Sequence, residues 1–156
     1  MRRSLMALAG CVMLSLTPPV CAWCFHEAGA RYHINAELLR SIAVWESGLD
    51  PRAIGVNRQG GTIVSRDYGL MQINSRHLPR LKRLGIIRSG DDLLTQPCLN
   101  IQVGAWILAQ HLQTCGANWS CLGSYNAGFS ARSESRRQWY SRRVYQVYLR
   151  LAGGGA

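Results

Sequence analysis

The stretch that most restricts how this chain can fold runs from Ile34 to Pro51, an amphipathic segment that marks both of its own ends. Apolar Leu38, Leu39, Ile42 and Ala43 recur at helical spacing, Asn35 is an N-cap, and Ile34 and Leu39 are placed to staple the entry turn. Gly48 is a natural terminator and Pro51 forbids continuation, so the spacing predicts a helix from Ala36 to Ser47. Steps of three and four residues from Leu39 through Ile42 to Glu46 keep all three on one face, which sets a carboxyl on the buried stripe. Desolvation there disfavours the ionised form, and the negative end of the helix dipole acts in the same direction. A carboxylic acid held protonated near neutral pH suits general-acid chemistry at a leaving oxygen. The alternative for Glu46 is a place at the stripe edge, snorkelling or paired with an arginine.

The 156 residues suit one domain, and 47% hydrophobic with 17% charged residues is ordinary for a soluble globular protein. Met1-Arg2-Arg3, the apolar run Leu5 to Leu16, Pro18-Pro19 and the small-residue site Val20-Cys21-Ala22 together read as a secretory signal peptide over 1–22. The apolar run is too short for a membrane span, which needs roughly 20 residues, so no transmembrane segment is expected in the mature protein. Leu8-Ala9-Gly10-Cys11 offers a lipoprotein box as a rival, but it sits too near the start, with apolar sequence continuing past it. The expected location is the periplasm.

Cleavage after Ala22 removes Cys11 and Cys21 and leaves Cys24, Cys98, Cys115 and Cys121, an even set in an oxidising compartment. Of the three possible pairings, the short loop from Cys115 to Cys121 favours a local bridge, leaving Cys24 with Cys98. The long bridge is worth about 4 kcal/mol on the chain-entropy account. A redox or zinc pair at Cys21 and Cys24 is disfavoured, because no matching Cys or His pair follows at zinc spacing; His26, His33, His77 and His111 form no ligand pattern, and no metal is expected.

The formal charge of +10 falls to about +8 once Arg2 and Arg3 are removed, and only one of the 18 basic residues is a lysine. Such a surface attracts polyanions in general. Export makes nucleic acid the least suitable of them, and neither Arg76 to Arg88 nor Arg132 to Arg143 is interleaved with aromatics as a single-strand groove requires.

Along the mature chain, Cys24 to Tyr32 reads as a short helix, and Gly55, Gly60, Gly61 and Thr62 to Val64 as a loop or small hairpin. Leu70, Met71 and Ile73 are core candidates with polar Gln72 and Asn74 between them, Pro79 to Gly85 is a basic helical connector, and Asp91-Asp92 starts a helix or turn. Leu99 to Gln113 is a second strong helix, with Ile101, Ala105, Leu108 and Leu112 on one stripe, Gly104 allowing a close neighbour and Gly116 ending it. A last helix, Arg137 to Leu151, carries Tyr140, Val144, Val147, Tyr148 and Leu151 at helical spacing; 153–156 is a flexible tail. Helices dominate, and the expected class is α+β, mostly α, in one domain.

Glu46-Ser47, then Gly69-Leu70-Met71-Gln72-Ile73, then Tyr125-Asn126-Ala127-Gly128 resemble, in this order, the motifs of the family 1 lytic transglycosylases, whose domain has a goose-lysozyme-like fold. The likeness spans 23–152 and is nearest to the small members that accompany type III and type IV secretion, conjugation and pilus systems, for which Asp67-Tyr68 and Asn74-Ser75 are also typical. The resemblance implies peptidoglycan as substrate, no cofactor, and Glu46 as the single catalytic acid and base. It implies that Ser47 helps position sugar or Glu46, and that Met71 and Gln72 line the cleft, with Gln72 on a substrate acetamide. Tyr125 would contact Glu46 and Asn126 would hold substrate. Tyr140, Val144 and Tyr148 fit the family's last motif, although Arg136-Arg137-Gln138-Trp139 stands where Glu-Thr-Arg usually precedes that tyrosine.

The chemistry is coherent on its own terms. Paired-carboxylate glycosidases need a second acid, and beside Glu46 the sequence offers few candidates, Asp50 and Asp67. A one-carboxylate route that closes the muramic acid ring through its C6 hydroxyl is therefore favoured over hydrolysis. The alternatives are a goose-type lysozyme-like hydrolase, in which Asp50 or Asp67 holds a water, and a non-catalytic peptidoglycan-binding assembly subunit.

Overall fold

The computed structural model describes residues 20–154. The leader expected over 1–22 and the lipidation alternative at Cys11 lie outside them, save positions 20–22, and so do the last two residues of the expected tail. The chain folds as α1 (Val20–Tyr32), α2 (Ala36–Ser47), β1 (Ile54–Gln59), β2 (Thr62–Tyr68), β3 (Ile73–Asn74), α3 (Leu78–Arg83), α4 (Asp92–Thr95), α5 (Pro97–Cys115), α6 (Trp119–Leu122), α7 (Ser124–Ala127) and α8 (Glu134–Gly153), with short 3-10 turns at Ser75–His77 and Ala131–Ser133. It is an α+β fold, mostly α, with one small antiparallel sheet in the order β1-β2-β3.

Helix α2 has the expected ends for the expected reasons. Asn35 Oδ1 accepts the N–H groups of Glu37 and Leu38 at 2.8 and 3.1 Å, and Gly48 closes the helix at φ 63°, in the left-handed region that glycine enters without penalty. Its stripe of Leu39, Ile42 and Ala43 is fully buried. Helix α5 begins at Pro97, two residues before the expected start, because proline at the first helical position lacks only an N–H that would be unpaired there. Ile101, Ala105 and Leu108 enter the core, while Leu112 stays half-buried.

The core joins Leu39 and Ile42 of α2, Leu70, Met71 and Ile73 around β3, Ile101 and Leu108 of α5, and Tyr140 and Val144 of α8. Each of these buried aliphatic side chains is worth about 1.5–3 kcal/mol over its exposed state. Disulfides join Cys24 to Cys98, tying α1 to the first turn of α5, and Cys115 to Cys121, closing a short loop before α6. The β1–β2 hairpin projects from this core and turns at Gly60-Gly61, both at positive φ. Among the described residues, no helix is long and apolar enough to cross a membrane.

Candidate active site

A cleft of about 520 Å³ lies between the β-hairpin, α5, α7 and α8, with Glu46 at the end of α2 among its walls. Burial of the Glu46 carboxyl is the main influence on its ionisation and lifts its pKa to about 7. A hydrogen bond from Tyr140 acts downward, and the Asp67 charge acts upward. The Tyr140 hydroxyl donates to Glu46 Oε1 at 2.6 Å from a fully buried position on α8, which packs against α2. Burial and the nearby Glu46 charge push the Tyr140 pKa well up, so this phenol stays protonated and remains a donor.

The hydrogen bond to Glu46 thus comes from Tyr140, where Tyr125 was expected to make contact. Tyr125 also lines the cleft, but its hydroxyl donates to the Met71 carbonyl at 2.8 Å. Asn126 lines the same wall. Met71 is the core residue its own sequence context indicated, and the cleft role implied by the resemblance is corrected: its side chain is fully buried against Gly104, and only its backbone carbonyl is turned to a cleft residue. Gln72 does line the cleft, and because it sits in a turn at φ 47°, its side chain parts from that of Met71. The Gln72 Nε2 donates to the Gly69 carbonyl at 2.9 Å and the Ala53 carbonyl at 3.3 Å, which leaves Oε1 to serve as an acceptor for a ligand N–H. Ser47 uses its hydroxyl on the carbonyls of Ala43 and Leu70, at 3.0 and 2.9 Å, and so pins the end of α2 to the neighbouring turn rather than reaching into the cleft.

Of the opposite wall, Asp67 was a candidate second carboxylate and Asn74 part of the family resemblance, while Asn57 and Ser65 were not foreseen. Alternation along β2 turns Ser65 and Asp67 to the cleft, Asn57 faces them across the register from β1, and Asn74 joins from β3. Asn57 and Asn74 donate to the two Asp67 oxygens at 2.6 and 2.7 Å, and both reach Ser65 Oγ at 3.0 and 3.1 Å. The period-two spacing of Ser65 and Asp67 was the available signal. Asp50 instead caps the Arg52 N–H at 2.8 Å on the exposed turn after α2, and is absent from the cleft lining. From α5, His111 Nδ1 lies 2.8 Å from the buried Ser124 hydroxyl, and burial lowers the His111 pKa, so the ring is held uncharged at neutral pH. Arg136 lines the cleft, while Arg137 donates to the Gly128 and Ser130 carbonyls at 3.1 and 2.7 Å. The departure from the family motif before Tyr140 thus anchors the loop between α7 and α8.

Comparison with known proteins finds the family described as "Transglycosylase SLT domain" over residues 23–147. A "Peptidoglycan-binding-like protein" of Escherichia coli O157:H7 is 49% identical over 129 residues, covering 82% of this chain and 77% of its own. "Invasion protein IagB" of Salmonella typhimurium (strain LT2) is 42% identical over 137 residues, covering 86% and 82%. "Protein IpgF" of Shigella flexneri is 40% identical over 129 residues, covering 83% and 81%.

Proposed function

The chain belongs to the transglycosylase SLT-domain family, and from that premise we propose that it is a peptidoglycan lytic transglycosylase with Glu46 as its catalytic acid and base. The observation that carries this is a carboxyl with a pKa of about 7, set in a cleft and oriented by the Tyr140 hydroxyl at 2.6 Å. Protonated Glu46 gives its proton to the oxygen of the MurNAc-GlcNAc β-1,4 bond as the bond to C1 breaks. The substrate's N-acetyl group stabilises the developing cation, with Gln72 Oε1 positioned to accept an acetamide N–H. Glu46, now a carboxylate, takes the proton of the C6 hydroxyl, whose oxygen closes on C1 to leave a 1,6-anhydromuramic end. The tethered hydroxyl outcompetes water through an effective concentration of roughly 10⁵ M or more. Tyr125 and Asn126 hold the sugar against the α7 wall.

Asp67 favours a second reading. It shares the cleft with Glu46, and its two amide partners hold it fixed, as a goose-type lysozyme-like hydrolase needs of a residue that orients water. The deciding experiment digests purified peptidoglycan with parent and Glu46→Gln protein and reads the ends by mass spectrometry. Anhydro ends, lighter by one water than hydrolytic ends and absent with Glu46→Gln, are the expected result. Reducing ends alone would establish the hydrolase, and retention of glycan without cutting would establish a binding subunit. Export to the periplasm through the leader at 1–22, and local wall opening for a secretion, conjugation or pilus apparatus, complete the proposal. They are supported by the two disulfides and by a relative that bears the name of an invasion protein.

A further inference from the structure

Asn100, in the first turn of α5, takes no part in the chemistry above, yet it is fully buried and hydrogen-bonded three times to backbone. Its Oδ1 accepts the Met71 N–H at 2.8 Å, and its Nδ2 donates to the carbonyls of Tyr68 and Leu93 at 2.7 and 3.0 Å. These partners dictate how the amide is turned, since a peptide N–H requires an acceptor and two carbonyls require donors. The turn gripped in this way, from Gly69 to Gln72, has φ of 70° and 47° at its two ends, the second a conformation that costs a non-glycine residue energy unless its surroundings hold it. The front of the same turn faces the catalytic groups: the Leu70 carbonyl accepts from Ser47, beside Glu46, and the Met71 carbonyl accepts from Tyr125. A Cβ at Gly69 would stand 2.4 Å from Asn100 Nδ2, so the glycine and the asparagine are fitted to one another.

We infer that Asn100 is a positioning residue: gripping the Gly69–Gln72 turn from behind, it sets the Met71 and Leu70 carbonyls and, through Tyr125 and Ser47, the packing that encloses Glu46. This rests on the assignment of Glu46 proposed above. Asn100→Leu deletes all three hydrogen bonds at similar size. Asn100→Asp sets a carboxylate oxygen against two carbonyls at neutral pH, but when protonated it can donate to one of them.

The test follows the Glu46 carboxyl by ¹³C NMR titration and measures kcat and KM on peptidoglycan strands. In folded variants the Glu46 midpoint falls from that of the parent by about half a pH unit or more as water reaches the carboxyl. Turnover drops about tenfold or more with KM within about twofold, and the Asn100→Asp loss shrinks as the pH is lowered. A folded variant with the parent's midpoint, or activity lost only in proportion to the unfolded fraction, overturns the inference. Where neither variant folds, Ser47→Ala, which frees Leu70 from the front of the turn, must lower the midpoint likewise; a parent-like midpoint there overturns it. A parent that titrates as described but cuts no glycan refutes the enzymatic reading, while the titration still decides the role of Asn100.

Discussion

Glu46 sits where the fold and the proposed chemistry make opposite demands. Its pKa, raised by burial from 4.5 to about 7, means that the fold prefers the protonated acid. The associated stability is complete below about pH 4.5 and is lost as pH rises through about 7, where the parent carries a half-enclosed charge. Glu46→Gln therefore gains nothing at pH 4 and melts higher than the parent at pH 8, by up to about 3 kcal/mol in urea titrations, while cutting no glycan. Equal stability at both pH values would refute the burial argument. Tyr140→Phe removes the hydrogen bond that holds the Glu46 pKa down, so the alkaline limb of the pH–rate profile moves upward as kcat falls about tenfold, a direction opposite to that of the Asn100 variants. Helical periodicity made it legible that Glu46 shares a face with Leu39 and Ile42, but not that this face opens on a cleft. The hydrogen-bond partner of Glu46 was not legible either, because Tyr140 lies 94 residues away and nothing local distinguishes it from Tyr125. The resemblance put Met71 and Gln72 side by side in the cleft, whereas apolar and polar character alone put Met71 in the core; a left-handed residue at 72 sends Met71 to the core and Gln72 to the site.

Elements whose boundaries are written in their own residues, α2 with Asn35 and Gly48 above all, match their expected bounds. The hairpin wall was far less legible. What places Asn57 opposite Ser65, and diagonally within reach of Asp67, is the register, and a bulge after Asn57 then shifts that register by one residue. Gly104 shows how a contact between elements overrides a local preference. Alanine there would gain about 1 kcal/mol of helix propensity within α5. Its Cβ would also lie 2.7 Å from Met71 Cβ, close to the backbone and unable to swing away, and overpacking of this kind costs about 1–3 kcal/mol. The net effect of Gly104→Ala is destabilisation, with a lower melting temperature and a displaced Gly69–Gln72 turn. A variant more stable than the parent would show that α5 and the turn are not in tight contact.

For the whole molecule, closure depends on tying the first helix to the rest. Helix α1 packs on α5 and α2, and apart from that packing its covalent tie is the bridge from Cys24 to Cys98, spanning 74 residues, whereas Cys115 to Cys121 spans only 6. Loop-closure entropy grows with the logarithm of the span, so the long bridge restricts the unfolded chain by about 4 kcal/mol and the short one by about 2 kcal/mol. Because α1 also buries Phe25 and Ala28, the long bridge guards core residues, while the short one shapes the loop in front of α6. Double serine replacement of Cys24 and Cys98 should therefore lower stability by about twice as much as the same change at Cys115 and Cys121, as read by denaturant midpoints under matched oxidising conditions. Neither bridge supplies a residue to the cleft lining, although the sulfurs of the short one lie 3.4 and 3.2 Å from the carbonyl of His111, which does line it. That contact is to the His111 backbone, and its ring is held by Ser124, so the short-bridge variant should keep the parent's kcat at a temperature where it remains folded. Equal losses of stability from the two variants would mean that the cross-links act through local native contacts instead of through the unfolded chain.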